Sequence, residues 1–335
     1  MTASTPPSSV LSESSSPIIL PPGLEPDESA RTKLERKIRL RRFAGPTAYV
    51  DQISHLRVAH LTDQHFGRIT PMSVQLASVS VTNAQKPDLV LITGDFVCHS
   101  QRYLDALEAT MKLFDAPVAA VLGNHDHWCG AAEVERALRR AGVEVLLNRN
   151  TVITLRNQRI QLVGLDDSYT GHARRDEAIK GLRRDLPTIG LSHIAEEADG
   201  LWQYGVPLVL SGHTHAGHLT FARLHEIAFG RISGHKYVHG LYGSRSPGAT
   251  GPRGAVYVGA GIGAAVMPLR LGDRAQPEVA IFELGYQPGA FEEHHEEQAP
   301  LPGRKPSDST RAKRAAKVIA NREKREQKRA QKPDR

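Results

Sequence analysis

Five short apolar runs in this chain each end in a cluster of aspartate, asparagine or histidine. That recurrence constrains the fold more than any other feature. Residues 56–61 lead into Thr62-Asp63-Gln64-His65, residues 89–93 into Gly94-Asp95, and residues 118–122 into Gly123-Asn124-His125-Asp126. Residues 189–192 lead into His193, and residues 208–211 into Gly212-His213-Thr214-His215. Residues 160–165, 255–259 and 279–284 are similar Leu/Val/Ile-rich runs. Their length and β-branched content predict strands. Helical patterns fall between them, near 72–85, 102–114, 131–141, 174–185 and 195–204. Such alternation predicts an α/β body with a largely buried sheet. No internal repeat interrupts it.

In open α/β sheets, ligands bind at the carboxyl ends of strands. Residues two apart in an extended segment point the same way. Asp63 with His65, and His213 with His215, are therefore expected to aim paired side chains into one crevice. Turn and capping chemistry explains one or two such residues. It does not explain aspartate, asparagine and histidine at five strand ends.

Charge divides the chain unevenly. Residues 303–335 carry 13 Lys/Arg against 4 Asp/Glu, and residues 31–42 carry 7 against 1, while the remaining body is mildly acidic. Residues 1–30 are rich in Ser and Pro and are expected to be disordered. Residues 31–54 are expected to form a basic amphipathic helix, through residue 43, and a lead-in, and 55–285 the α/β body. Residues 286–335 are expected to be a linker followed by a basic tail, disordered or partly helical. The basic ends would set any contact with an anionic membrane or nucleic acid. The two cysteines, Cys98 and Cys129, exclude a disulfide framework. No uncharged run reaches the roughly 18 residues of a spanning helix. The first residues lack a signal peptide's basic start and apolar stretch. Arg41-Arg42 lies too deep for a twin-arginine signal. The expected location is cytoplasmic, or peripheral on the inner face of the membrane.

The ordered set Asp-x-His, Gly-Asp, Gly-Asn-His-Asp, His and Gly-His-Thr-His resembles the calcineurin-like metallophosphoesterase superfamily, over about residues 55–285. The strings LSGHTHAG, GLYG, YVGAGIG, PLRLG and PEVAIFEL resemble its YaeI/YkuE-like phosphodiesterase branch. The resemblance implies an αββα sandwich, two mixed sheets flanked by helices. It implies two divalent metal ions: Asp63, His65 and His215 on the first, Asn124, His193 and His213 on the second, and Asp95 bridging. Imidazole and carboxylate suit Mn, Fe, Zn or Ni. A metal-bridging hydroxide would attack phosphorus in line. His125 would protonate the leaving oxygen or hydrogen-bond the phosphoryl group, with Asp126 orienting it. Asp166, after another strand, and Arg270, in PLRLG, are candidate substrate contacts. The segment with Tyr237, His239, Tyr242 and Arg245 is a candidate specificity loop. His294-His295 is a further candidate metal pair.

These features point to a metal-dependent phosphodiesterase or pyrophosphatase. Some relatives in the branch cleave the pyrophosphate of UDP-diacylglucosamine, so the resemblance implies such lipid-linked substrates. The chain departs from the branch after His193, with Ile194-Ala195-Glu196-Glu197 in place of Asn-Pro. It departs again after His215, with Ala216-Gly217-His218 in place of Gly-Gly-Gln. Both changes flank the site. An alternative is a nuclease or nucleotide phosphodiesterase that uses the basic tail. With 5% aromatic residues, that reading has little stacking support. A non-catalytic binding protein on the same fold is a third reading, set against a complete ligand set.

Overall fold

The apolar runs form strands, and their alternation decides which layer each side chain enters. The computed structural model describes residues 28–217, 234–245, 254–264, 275–291, 298–301 and 316. It begins with α1 (Glu28–Glu35), β1 (Arg39–Ala44), β2 (Leu56–Leu61), α2 (Met72–Ala84), β3 (Leu89–Thr93) and α3 (Leu104–Met111). Next come β4 (Val118–Val121), α4 (Asn124–Cys129), α5 (Ala131–Arg140), β5 (Glu144–Val145), β6 (Arg149–Leu155) and β7 (Gln158–Gly164). The chain continues through α6 (Arg175–Ala178), β8 (Thr188–Leu191), α7 (Ala198–Leu201) and β9 (Leu208–Ser211). It closes with β10 (Gly240–Gly243), β11 (Ala255–Val258) and β12 (Glu278–Leu284).

Two six-stranded sheets result, in the orders β1-β12-β2-β3-β4-β5 and β10-β11-β9-β8-β7-β6. Strand β12 runs antiparallel to β2, β10 to β11 and β6 to β7, and the other neighbours are parallel. Both sheets are therefore mixed, as the αββα sandwich requires. Side-chain alternation sorts the core into three layers. Leu56, Val58, Leu89, Leu91, Leu162, Leu208 and Leu210 meet between the sheets. Leu61, Val90 and Ile92 face out to Leu107, Val134 and Leu138 of α3 and α5. On the second sheet, Val163 and Val209 face Ala198, Leu201 and Trp202.

The expected basic helix through residue 43 stops at Glu35, and Arg39–Ala44 is instead an edge strand parallel to β12. Phe43 is fully buried between the sheets, and the basic side chains that suggested a solvated helix have acidic partners. Arg41 Nε lies 3.0 Å from Glu278, and Arg42 Nη1 lies 3.4 Å from Glu283. The helix expected over 174–185 is short, spanning only Arg175–Ala178. Within the expected linker, Gln298 N–H donates to the Leu241 carbonyl and Leu301 N–H to that of Lys236, so this stretch runs beside β10.

Candidate metal centre

The loops that follow β2, β3, β4, β8 and β9 converge at one edge of the sandwich. They bring all seven motif residues together. The ligand-type atoms of Asp63, His65 and His215 lie within 4.8 Å of one another, as do those of Asp95, His193 and His213. Within the first group, Asp63 Oδ1 is 3.2 Å from His215 Nε2, and His65 Nε2 is 2.9 Å from His215 Nε2. Within the second, His193 Nε2 is 3.2 Å from Asn124 Oδ1 and 3.3 Å from His213 Nδ1. Asp95 Oδ2 joins the groups, 3.6 Å from His65 Nε2 and 3.4 Å from His193 Nε2.

The convergence does not arise from extended alternation, as the sequence suggested. Asp63, His65, Asp95, His213 and His215 all have left-handed backbone, with φ of 51°, 49°, 55°, 76° and 51°. Among the described residues only ten non-glycine positions have positive φ, so half of them are these site residues. Each such residue costs about 1–3 kcal/mol, and such strain persists only where surrounding contacts over-determine it. Those contacts are visible. Asp63 N–H donates to the Gly94 carbonyl (3.0 Å) and His65 N–H to that of Asp95 (2.9 Å). The Asp63 carboxylate accepts the Thr62 hydroxyl (2.9 Å) and the His213 N–H (3.0 Å).

Two glycines are required by close approach. A Cβ on Gly123 would collide with the Asp95 carboxylate and backbone, which fixes the glycine of Gly-Asn-His-Asp. Gly261, at φ 79°, brings the loop after β11 against the site. A Cβ there would stand 2.8 Å from Asp63 Cβ and 3.2 Å from His215 Nδ1.

The electrostatics call for positive charge. Burial pushes Asp63 up to about 6, with Asp95 adding to the rise against the pull of His193. Burial also raises Asp95, but the charges of His193, His125 and His65 outweigh it and hold that carboxyl well below its usual range. Burial would depress His193, yet Asp95, then Asp63 and Asp167, lift it to about 10. Burial and the charge on His193 hold His213 well below the usual imidazole value. Imidazole groups, His193 foremost, thus balance the buried carboxylates. Divalent cations on the same nitrogens and oxygens would supply that charge instead. Four imidazoles, two carboxylates and an amide oxygen, with no thiolate among them, form a donor set that fits such ions.

The remaining candidates separate. His125 stands beside the centre, its ring 4.8 Å from that of His65, with its Nδ1 2.9 Å from the Cys98 carbonyl and its N–H donated to Asp95 Oδ1 at 2.8 Å. Asp126 does not pair with it. Its carboxylate accepts the N–H groups of Gly123 (2.9 Å) and Val97 (3.1 Å), which ties the β3 loop to the start of α4. Burial, then the charge on Asp95, pushes it up to about 7. The partner that orients His125 is therefore the Cys98 carbonyl, not the expected Asp126. Asp126 sits at the third position of α4, where a carboxylate caps the helix start. Asp166 lies 2.7 Å from His127 Nε2, in the loop after β7. Arg270 and His294-His295 lie outside the described residues.

Tyr237, His239, Tyr242 and Arg245 are buried and act in the framework rather than as a specificity loop. The Tyr237 hydroxyl donates to Asp199, the Tyr242 hydroxyl accepts from Val238 N–H, His239 pairs with Glu278, and Arg245 donates to the Ala44 carbonyl. Sequence reasoning missed His235. Its ring meets that of His213 at 5.3 Å, and its Nδ1 is 3.2 Å from Glu196. Glu196 is one of the residues that replace the branch's Asn-Pro, so that departure was its available signal.

Residues 56–217 match the calcineurin-like phosphoesterase family. Phosphodiesterase YaeI of Escherichia coli is 31% identical over 246 residues, which cover 70% of this chain and 84% of that protein. Metallophosphoesterase YkuE of Bacillus subtilis is 28% identical over 237 residues, covering 68% of this chain and 78% of that one. A metallophosphoesterase of Helicobacter pylori is 30% identical over 251 residues, covering 70% and 62%.

Proposed function

Because the chain belongs to the calcineurin-like phosphoesterase family, and is thereby a metal-dependent phosphoester hydrolase, we propose that it cleaves phosphodiester or pyrophosphate bonds at a two-cation centre. Asp63, His65 and His215 would hold one ion, Asn124, His193 and His213 the other, and Asp95 both. The observation that carries this reading is the place of Asp95 Oδ2, within 3.6 Å of a nitrogen from each group. Mn, Fe, Zn or Ni would suit the donors. When bound, two such ions activate an attacking water and stabilise charge on the phosphoryl oxygens.

The chain's own residues do the rest. Thr62 and the His213 N–H fix the Asp63 carboxylate, so it cannot rotate away from His215. The Cys98 carbonyl can only accept, so His125 Nδ1 carries a hydrogen. In the imidazolium form Nε2 also carries a hydrogen, and it is the nitrogen that would hand its proton to the leaving oxygen, returning to the neutral ring, or hydrogen-bond the phosphoryl group. The name of the 31% identical relative supports a diester over a monoester. Lipid-linked, UDP-diacylglucosamine-like substrates enter through the resemblance to the branch. The candidate membrane-facing tail lies outside the described residues.

The test is hydrolysis of bis(p-nitrophenyl) phosphate beside p-nitrophenyl phosphate by the Mn²⁺-loaded full chain. Faster diester cleavage, abolished by chelator, is expected. Faster monoester cleavage would move the reading to a phosphatase, and no cleavage of either with metal bound would overturn it. His125→Ala separates the role of that residue. Its loss should reach about 10²–10⁴-fold for an alkyl leaving group, the range of general acid catalysis. The loss should be much smaller for p-nitrophenolate, which leaves without a proton. Equal losses on both would remove the proton-transfer role.

A further inference from the structure

The rim of the centre carries two rings, Trp128 and Tyr169, that the hydrolytic step does not use. The His125 ring meets Trp128 at 4.7 Å, Trp128 meets Tyr169 at 6.1 Å, and Tyr169 meets His213 at 5.1 Å. The run starts at the candidate leaving-group histidine and ends at a candidate ligand of the second ion. Trp128 and Tyr169 stand at 75° to one another and form a corner between those two points. Resting on the hydrolase reading above, we propose that Trp128 and Tyr169 form a stacking subsite for the base of a nucleoside esterified to the scissile phosphate.

Three observations carry this. The chain has only 2 Trp, 8 Tyr and 8 Phe, and most described ones are buried in the core, among them Phe43, Tyr49, Phe96, Trp202, Tyr257 and Phe282. Trp128 and Tyr169 are partly exposed, and neither belongs to the three apolar clusters of the described residues, so core packing does not account for them.

Both are held by rigid supports. Trp128 lies on α4, whose start is pinned by Asp126. Tyr169 lies in the loop after β7, where Asp167 accepts the Thr170 N–H (2.7 Å) and hydroxyl (2.6 Å) and Asn148 accepts the Asp166 N–H (3.1 Å). The 2.7 Å contact of His127 with Asp166 ties that loop to α4.

The surroundings also fit a flat polar ring better than an acyl chain. Among the described residues the rings that flank the corner are the imidazoles of His125 and His213. Among the described residues the exposed large hydrophobics are Val152, on edge strand β6, and Tyr286, which packs on His55 before β2. Neither adjoins the centre. Aromatic side chains stack bases of any sequence, because every base has a π-face.

The test compares ligands that share ribose and phosphate and differ only in the base. Inhibition of bis(p-nitrophenyl) phosphate hydrolysis by the Mn²⁺-loaded full chain is measured with adenosine 5′-monophosphate, uridine 5′-monophosphate and ribose 5-phosphate. At least one nucleotide should inhibit more tightly than ribose 5-phosphate, by roughly 5- to 150-fold, the range of a stacked base. Trp128→Ala and Tyr169→Ala should shrink that ratio to within about threefold, and Tyr169→Phe should keep it, since the face rather than the hydroxyl makes the contact. Metal content confirms that the variants are folded and loaded. Equal inhibition by all three ligands in the wild type would overturn the proposal. So would a ratio that survives in both alanine variants. Either result would leave the hydrolase reading intact, because that reading fails only if the metal-loaded wild type does not cleave the reporter.

Discussion

Asp95→Asn should reduce metal-dependent diester hydrolysis by about 10³-fold or more. Loss of one preorganised electrostatic group at a reacting centre already costs 10²–10³, and Asp95 acts at three places. Its Oδ2 faces His65 at 3.6 Å and His193 at 3.4 Å, and its Oδ1 accepts the His125 N–H at 2.8 Å. An amide keeps the size and the single acceptor but removes the charge. It also turns a donor toward two nitrogens that must themselves face cations. Both ions should therefore bind more weakly, and the measured metal content should fall together with turnover. Asp105, exposed on α3, provides the control, because Asp105→Asn meets none of these groups and should leave both quantities unchanged. A folded Asp95→Asn protein that kept a tenth of wild-type turnover would remove Asp95 from the bridging position.

How much of this was legible in the sequence depended on burial. Strands β3, β4 and β9 are buried on both faces, so their runs were nearly continuous and their bounds plain. Strand β1 was hidden because its arginines find acids only in three dimensions, on β12. Strand β6 was missed because it is an edge strand whose alternating exposure admits polar residues. The seven site residues were readable as an ordered set, since each follows a strand end. The backbone that gathers them was not. Left-handed Asp and His residues have no local signature, and they are held there by contacts from other strands. The role of Asp126 was readable in hindsight. Glycine is favoured just before a helix and an acidic residue in its first turn, and Gly123 and Asp126 stand at those positions. Trp128, Tyr169 and His235 come together only through the fold, because they lie on three separate segments.

The second large effect concerns stability and lies outside the centre. Glu278 is buried at the start of β12. It is 3.0 Å from Arg41 Nε and 3.1 Å from His239 Nε2, and it accepts the Tyr257 hydroxyl at 2.6 Å. It joins β1, β11 and the segment before β10, and it also receives the Ala260 N–H at 3.3 Å, in the loop that carries Gly261 to the centre. Burial raises its carboxyl, but His239 and Arg41, together with the Tyr257 hydroxyl, outweigh burial and hold it far below the usual range. Glu278→Gln leaves the Arg41 guanidinium buried without its counter-charge. Breaking such a pair costs about 3–5 kcal/mol, which chemical denaturation at pH 7 should show.

The pH dependence has a definite sign. The folded carboxyl titrates below the unfolded one, so its contribution is complete above the unfolded value of 4.5 and is lost as pH falls toward the folded value. The gap between wild type and Glu278→Gln should therefore be constant from pH 7 to about 5 and shrink below pH 4.5. Both proteins should lose stability earlier for a different reason. Burial depresses His60 from 6.5 to about 3, so below pH 6.5 the unfolded chain takes up a proton that the folded chain refuses. The two proteins share that loss down to about pH 4; below it the Glu278→Gln protein loses more, because the Glu278 charge raises His60, so the gap is read between pH 7 and about 4. A gap that widened on acidification would mean that the Arg41–Glu278 pair costs more to bury than it returns. The loop bearing Gly261 would then be held by its backbone hydrogen bonds to Ser211, Thr62 and Asp63.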